Sequence, residues 1–117
     1  MNVAGRRQER VAEQIRDEVA QRLVRELKDP RIGFTTVTRV EWSPDLHHAR
    51  VLISVLGAAE AQQKTLEGLT SASGYLRHEI APRLRLRRAP EVIFFLDRGA
   101  EASQKIDELR RQLNETA

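Results

Sequence analysis

A change in the spacing of apolar residues along the first half of the chain constrains the fold more than any other feature. From residue 6 to residue 28, apolar side chains recur every three or four positions, which predicts one long amphipathic helix. They are Val11, Ala12, Ile15, Val19, Leu23 and Leu27. Pro30 follows directly, and the helix is expected to end before it because proline disfavours helical angles in the preceding residue.

Two runs rich in β-branched residues come next, FTTVTRVEW at 34–42 and ARVLISVL at 49–56. Between them stands SPDLHH, in which proline presets one backbone angle and aspartate can bond its own backbone. Two such runs around a short turn predict an antiparallel hairpin. The second run alternates, and its expected core residues are Ala49, Val51, Ile53 and Val55.

The helical spacing returns between residues 58 and 81, where the apolar stripe is Leu66, Leu69, Ala72, Leu76 and Ile80. Its middle, TSASG at 70–74, is a poor helix interior because glycine is flexible and hydroxyl side chains compete for backbone hydrogen bonds. We therefore expect a kink or break that gives two helices, the second ended by Pro82.

The apolar run PEVIFFLD at 90–97 predicts a short strand, expected to be central and covered on both faces. After Gly99 a last, loosely held helix is expected over 99–117, with a thin stripe of Ala102, Ile106, Leu109 and Leu113. The predicted order is α-β-β-α-(kink)-α-β plus a C-terminal helix. That order indicates a single α+β domain over 1–117, with residues 1–5 as a flexible N-terminus and helices on one face of a sheet.

Composition narrows the functional classes. The chain of 117 residues has no cysteine, which excludes disulfides and thiolate metal sites and fits a reducing cytosol. No apolar stretch follows the first charges, and no apolar run approaches the roughly 20 residues of a membrane helix. A soluble, cytoplasmic protein is expected.

Catalytic motifs are missing from the sequence. There is neither a GxxxxGK phosphate loop nor a GxGxxG turn after a strand. His47 and His48 are adjacent and would point apart, and His78 stands on a predicted helix, so no metal or other cofactor is expected. Asp45 and Asp97 are interpreted as groups that cap backbone, not as catalytic acids.

Positive charge is concentrated in one segment. The net charge is +3, and residues 73–90 carry five arginines against Glu79. The five are Arg77, Arg83, Arg85, Arg87 and Arg88. A local basic excess of this kind predicts contact with a polyanion, and the arginine fork suits phosphate. The alternative is a face that only keeps the protein soluble.

If residues 83–87 are extended, Arg83, Arg85 and Arg87 share one edge, while Leu84 and Leu86 face the core. A break at Ala72, Ser73 and Gly74 would let phosphate approach the backbone amides at a helix start. Tyr75 follows directly and is either an interface aromatic or a buried side chain with its hydroxyl at the rim. Phe34, Phe94 and Phe95 are expected in the core, so the strands offer no stacking platform for bases.

Two further cations, Lys28 and Arg31, flank the end of the first helix. They are weaker candidates for RNA contact, and the favoured alternative is pairing with Asp29 or solvation of the helix end.

Four segments together resemble the ribosome-binding factor A family across nearly the whole chain. They are RVAEQIRDEVAQRLVRELKDPRIG, VTRVEWSPDLHHARVLISVLG, SGYLRHEIAPRLRLRRAPEVIFFLD and SQKIDELRRQL. The resemblance implies a type II KH-like fold whose interhelical kink has an Ala-x-Gly pattern, matched by Ala72, Ser73 and Gly74. It also implies a bacterial assembly factor that binds the free small ribosomal subunit, and supports late maturation of its rRNA, 5′-end processing and growth in the cold.

Two other functions remain open at this point. A protein–protein module could use the first helix or the hairpin edge, with the arginines only solubilising it. A hydrolase is the more distant alternative.

Overall fold

The computed structural model describes residues 3–99 and 109–113. Its elements are α1 (Val3–Arg25), β1 (Thr35–Trp42), β2 (His48–Val55), α2 (Ala59–Leu84) and β3 (Glu91–Leu96). Both helices lie on one face of a three-stranded mixed sheet, so the predicted α+β class is confirmed. In the described ranges, no helix is both long enough and apolar enough to cross a membrane.

The predicted hairpin is confirmed. β1 and β2 pair antiparallel, from Thr35 opposite Val55 to Trp42 opposite Ala49. The register shifts between Val37 and Arg39, so one extra residue, Thr38, occupies a bulge. This bulge lets Val37 and Val40 both pack against the core although three positions separate them.

β3 is an edge strand, and the expectation that it is central and doubly covered is wrong. The order β1-β2-β3 puts β2 in the middle, with β3 parallel to it. Burial therefore alternates along β3: Val92 and Phe94 face the core, while Phe95 is 45% exposed. Phe34 is 75% exposed, so of the three phenylalanines expected in the core only Phe94 is there.

The core lies between the covered face of the sheet and the two helices. The four alternating residues of β2, from Ala49 to Val55, are all buried, as predicted. α1 contributes Val11, Ile15 and Val19, and α2 contributes Leu69, Leu76, Ile80 and Leu84. The helical spacing in the sequence therefore identified the buried stripes of both helices correctly.

α2 is one continuous helix of 26 residues, and the predicted break into two helices is wrong. The Ser71 hydroxyl donates to the Glu67 carbonyl at 3.1 Å, and the Ser73 hydroxyl donates to the Thr70 carbonyl at 2.8 Å. These bonds satisfy the hydroxyls within the helix itself, which explains how the weak segment is accommodated. The helix also continues two residues past Pro82, to Leu84.

Gly68 sets how closely α2 approaches the loop before β1. A Cβ atom built on Gly68 would lie 2.7 Å from Cγ1 of Ile32. One turn earlier, the buried Thr65 hydroxyl accepts a hydrogen bond of 3.0 Å from the Gly33 amide. The lack of a side chain at Gly68 and the hydrogen bond to the Thr65 hydroxyl thus hold the 31–33 loop close to α2.

The β1–β2 turn is held by Asp45. Its Oδ1 accepts hydrogen bonds from the Ser43 hydroxyl at 2.6 Å and from the His47 amide at 3.0 Å. These bonds lower the pKa of Asp45 to about 2, so the backbone-capping interpretation is confirmed. The next residue, Leu46, has a φ of 62°, the left-handed conformation that leucine rarely adopts.

Most of the predicted C-terminal helix, including Ala102 and Ile106, lies outside the described residues. Residues 109–113 are helical and exposed, including Leu109 and Leu113. At the other end of the chain α1 starts at Val3, within the segment expected to be flexible, and ends at Arg25, three residues earlier than predicted.

Two alanine substitutions in the same helix should have opposite effects on stability. Gly68→Ala forces its new methyl group against Ile32 and should lower the free energy of unfolding by about 1–3 kcal/mol. Gly74→Ala meets nothing within 4 Å and should raise it by about 0.5–1 kcal/mol, because alanine is the better helix former. Urea unfolding followed by circular dichroism measures both, and equal effects would contradict the close approach at Gly68.

Asp45 should make the hairpin sensitive to acid. Because its folded pKa is about 2, below the ordinary value near 3.9, its contribution to stability is complete above about pH 4. That contribution is lost as the pH falls towards 2. Asp45→Asn should flatten the pH dependence of the unfolding free energy in this window, and curves parallel to those of the unchanged protein would refute this role.

Candidate nucleic-acid interface

The arginine-rich segment does not form one extended row, so that prediction is wrong. Arg83 lies in the last turn of α2, and Arg85 caps the helix with a φ of 52°. Residues 86–90 are irregular. Leu84 is nevertheless buried and Leu86 packs against the core, as expected from the alternation.

A series of charged side chains on α1 contacts two residues of α2, Tyr75 and Arg83. Glu18 contacts the guanidinium of the buried Arg22 and lies 3.7 Å from that of Arg83. On its other side Arg22 lies 3.8 Å from Glu26. Together these contacts connect α1 to the C-terminal half of α2.

The Tyr75 side chain is 46% exposed, and its hydroxyl donates to Glu26 at 2.7 Å. That bond to a carboxylate raises the pKa of Tyr75. The ring is therefore exposed at the surface, so the alternative of a buried side chain is wrong, and the interface role of Tyr75 stays a prediction.

A cleft of about 330 Å³ lies between α2 and β3, and we call it the Gly74 cleft. Its lining consists of Thr70, Ser73, Gly74 and Arg77 from α2, and residues 91–94 from β3. Arg77 donates to the Ala89 carbonyl at 2.9 Å, which holds its guanidinium at the cleft. The surface at Gly74 is open, since a Cβ there would contact nothing within 4 Å.

The Gly74 cleft does not contain a helix start. Because α2 is continuous from Ala59 to Leu84, the amides of residues 72–74 lie inside the helical hydrogen-bond pattern. The expectation that these amides would meet phosphate at a positive helix end is therefore wrong. Ala72 is partly buried against the core. Ser73 and Gly74 line the cleft, and because both residues are small they leave the helix surface accessible there.

The three arginines directly after α2 have no ion-pair partner within the described part of the chain. Arg85, Arg87 and Arg88 are exposed, and among the residues that the structure describes no carboxylate pairs with them. Arg87 and Arg88 line a second cleft of about 340 Å³, which we call the Trp42 cleft. It is completed by Arg7, Gln8, Val11, Trp42, Leu46 and Leu86.

Sequence reasoning did not identify Arg7, Trp42 or Leu46 as functional candidates. Arg7 lies in α1, whereas Trp42 and Leu46 lie at the end of β1 and in the turn after it, and only the fold brings these two segments together. The one available signal was Leu46 itself, an apolar residue at the exposed tip of a polar turn.

Arg31 is paired with Asp29, which confirms the alternative considered for it. Its Nη2 lies 2.6 Å from Asp29 Oδ2 and also donates to the Ser71 hydroxyl at 3.2 Å. The bonds from Arg31 hold the pKa of Asp29 below its usual value. Lys28 is exposed.

The remaining titratable candidates are structural. His48 lies 3.4 Å from Glu91 and 3.7 Å from Asp45, so it sits between the hairpin turn and β3. Asp97 is buried and accepts a hydrogen bond of 2.7 Å from Thr38 in the β-bulge. Within the described ranges, no group of three or more His, Asp or Glu side chains could hold a metal ion.

The structure resembles solved structures of one family. The crystal structure of ribosome-binding factor A from Thermus thermophilus superposes with a TM-score of 0.65 and 27% identity, covering 76% of this chain and 94% of that one. A homology model of the Thermus thermophilus ribosome binding factor A, as fitted into a cryo-EM map of a complex with the 30S subunit, gives a TM-score of 0.60 at 27% identity. It covers 78% of this chain and 96% of that one.

Sequence comparison agrees with the structural one. Ribosome-binding factor A from Thermomicrobium roseum is 50% identical over 109 residues, covering 93% of this chain and 84% of that relative. The family model described as ribosome-binding factor A matches residues 7–110. This match includes α1 from residue 7 onward, the whole of α2 and all three strands of the sheet, and the chain belongs to the ribosome-binding factor A family.

Proposed function

We propose that the protein binds the free small ribosomal subunit (30S) through its rRNA and supports the late maturation of that particle. Family membership supports this, as does the relative that was fitted into a map of a 30S complex. The proposal includes maturation of 16S rRNA at its 5′ end and a contribution to growth in the cold. The protein would act in the cytoplasm as a monomer, alone or alongside other assembly factors.

The observation that carries this proposal is the set of three exposed arginines after α2. Arg85, Arg87 and Arg88 have no ion-pair partner among the described residues, so binding phosphate would cost no internal salt bridge. Guanidinium groups suit this task because they stay charged and bind phosphate oxygens in a bidentate way. Contacts to the sugar–phosphate surface also fit folded RNA, whose deep major groove hides its bases.

The other candidate residues would contribute less and in different ways. Arg77, held by Ala89, would add a positive charge beside the Gly74 cleft, where Ala72, Ser73 and Gly74 allow a backbone to come close. Arg83 would have to share its contact with Glu18. Three others would lie at the margin of the surface: Tyr75, Lys28 and Arg31.

The proposed mechanism makes and breaks no covalent bond and needs no cofactor. The protein would bind one conformation of the rRNA more tightly than another. The ratio of the two affinities would limit how far binding shifts the rRNA towards the favoured conformation. Processing enzymes would then act on an rRNA end held in the favoured state. The protein itself would leave a purified rRNA precursor uncut.

Removing two free guanidinium groups should weaken binding in a salt-dependent way. Arg87→Ala combined with Arg88→Ala should lower affinity for 30S subunits about 25- to 60-fold at 0.1 M salt, if each arginine neutralises one phosphate. The slope of log K against log salt should become shallower by about 1.4–1.8. Co-sedimentation with purified 30S subunits and with 70S ribosomes over a salt series measures this, and the unchanged protein should prefer the 30S subunit.

The matched control removes two arginines from the uncovered face of the sheet. Arg39 and Arg50 are both exposed there, so Arg39→Ala with Arg50→Ala makes the same change in net charge elsewhere. The control should bind 30S subunits like the unchanged protein. An equal loss of affinity in both double variants would show that net charge, not the surface after α2, determines binding.

The Gly74 cleft can be tested with two substitutions at one position. Gly74→Glu places a negative charge at the cleft but keeps a good helix former, so the protein should stay folded while 30S binding weakens by about tenfold or more. Gly74→Ala adds only a methyl group to open space and should bind normally. If Gly74→Glu binds 30S subunits as tightly as Gly74→Ala, RNA does not approach this cleft.

A further inference from the structure

We propose that the Trp42 cleft binds one unstacked nucleotide of single-stranded RNA, with the base in the cleft and its phosphates on the surrounding arginines. This deepens the proposed function and rests on it. The cleft lies between the N-terminal half of α1, the hairpin turn and the 86–88 segment. It is therefore separate from the Gly74 cleft, which lies between α2 and β3.

The floor of the Trp42 cleft is apolar and partly aromatic. Its apolar lining comes from Val11, Trp42, Leu46 and Leu86. The indole N–H of Trp42 already donates to the Gln8 carbonyl at 2.8 Å. A ligand would therefore meet only the apolar surface of that ring, which suits a base, since every base has a π face that can stack on an aromatic side chain.

The polar lining of the cleft carries positive charge without negative charge. Arg7, Arg87 and Arg88 line it, no acidic residue does, and none of the three is ion-paired within the described part of the chain. Guanidinium groups bind phosphate and also stack on bases. An apolar floor beside three free guanidinium groups is therefore complementary to a nucleotide at both its base and its phosphates.

The conformation of Leu46 is the second, independent indication of a ligand. This leucine has a φ of 62° and is 45% exposed, although leucine is disfavoured in left-handed backbone and its side chain prefers burial. Asparagine or glycine would suit the turn better. Backbone strain at an exposed apolar residue that lines a cleft is the kind of local strain that accompanies binding sites.

The size of the cleft favours RNA over an acidic, leucine-rich peptide. Peptide grooves bind several side chains in a row, whereas a cleft of about 340 Å³ is at the small end of ligand pockets, which span roughly 300–1,000 Å³. The proposed partner of the protein, the 30S subunit, also contains single-stranded rRNA segments and ends whose bases can enter such a cleft.

Trp42 is the only tryptophan in the chain, so its fluorescence reports on this cleft directly. A hexanucleotide of uridine should quench that fluorescence in a saturable way. An abasic backbone of equal length and charge should bind about 5- to 150-fold more weakly and cause little quenching, because it lacks the stacking base. Equal binding and quenching by the two ligands, or tighter binding of an acidic leucine-rich peptide, would overturn the proposal.

Substitution of Leu46 should separate binding from folding. Leu46→Asn should weaken hexanucleotide binding about fivefold or more, through loss of apolar contact, with a Tm equal to or above that of the unchanged protein because asparagine tolerates the left-handed backbone. Arg87→Ala with Arg88→Ala should weaken binding as well. The control Arg39→Ala with Arg50→Ala, on the uncovered face of the sheet, should leave hexanucleotide binding intact.

Parallel co-sedimentation distinguishes the two proposals. If the unchanged protein binds 30S subunits but the hexanucleotide does not quench Trp42, the cleft proposal alone fails. If it binds the hexanucleotide but not 30S subunits, the proposed function fails while the cleft proposal stands. Binding of both ligands, with a weaker affinity of Leu46→Asn for the hexanucleotide, supports both proposals.

Discussion

Burial of only one face of a three-stranded sheet determines where every other part of this protein can lie. β2 occupies the middle, and its alternating residues Ala49 to Val55 give the sheet one apolar face, so both helices must cover that same side. Helix α1 packs over β1 and α2 packs over β3. The end of α2 and the start of α1 meet at the Trp42 cleft, where Arg7, Arg87 and Arg88 have no ion-pair partner among the described residues.

The sequence was sufficient to predict the features that depend on local pattern. Helical spacing identified the stripes of α1 and α2, and alternation identified the hairpin and the inward side of β2. Strand order could not be predicted in this way. The run at 90–97 is compatible both with a central strand and with an edge strand that has one exposed face, and β3 is the edge strand. The continuity of α2 also escaped prediction, because the weak segment lies within a helix that packs along the core on both sides of it, through Leu69 and Leu76.

For the candidate site, composition predicted the basic segment but not its geometry. A run of arginines does not reveal which ones meet a carboxylate. In the fold Arg83 faces Glu18 and a carbonyl holds Arg77, while the other three have no ion-pair partner in the ranges that the structure describes. The Trp42 cleft could not be predicted because its walls come from residues near 7, 42 and 87, far apart in the chain. Those contacts exist only after the helices have docked on the sheet.

The parallel pairing of β2 with β3 also has a consequence for how the molecule is made. β1 and β2 can pair as soon as both have been synthesised, because only a short turn joins them. β3 follows α2 in the chain, so it can pair with β2 only after α2 has been synthesised. The pairing of β2 with β3 therefore joins distant parts of the chain. Until residue 96 leaves the translating ribosome, the core therefore lacks Val92 and Phe94 of β3. The apolar residues that these two side chains will cover stay exposed during that time.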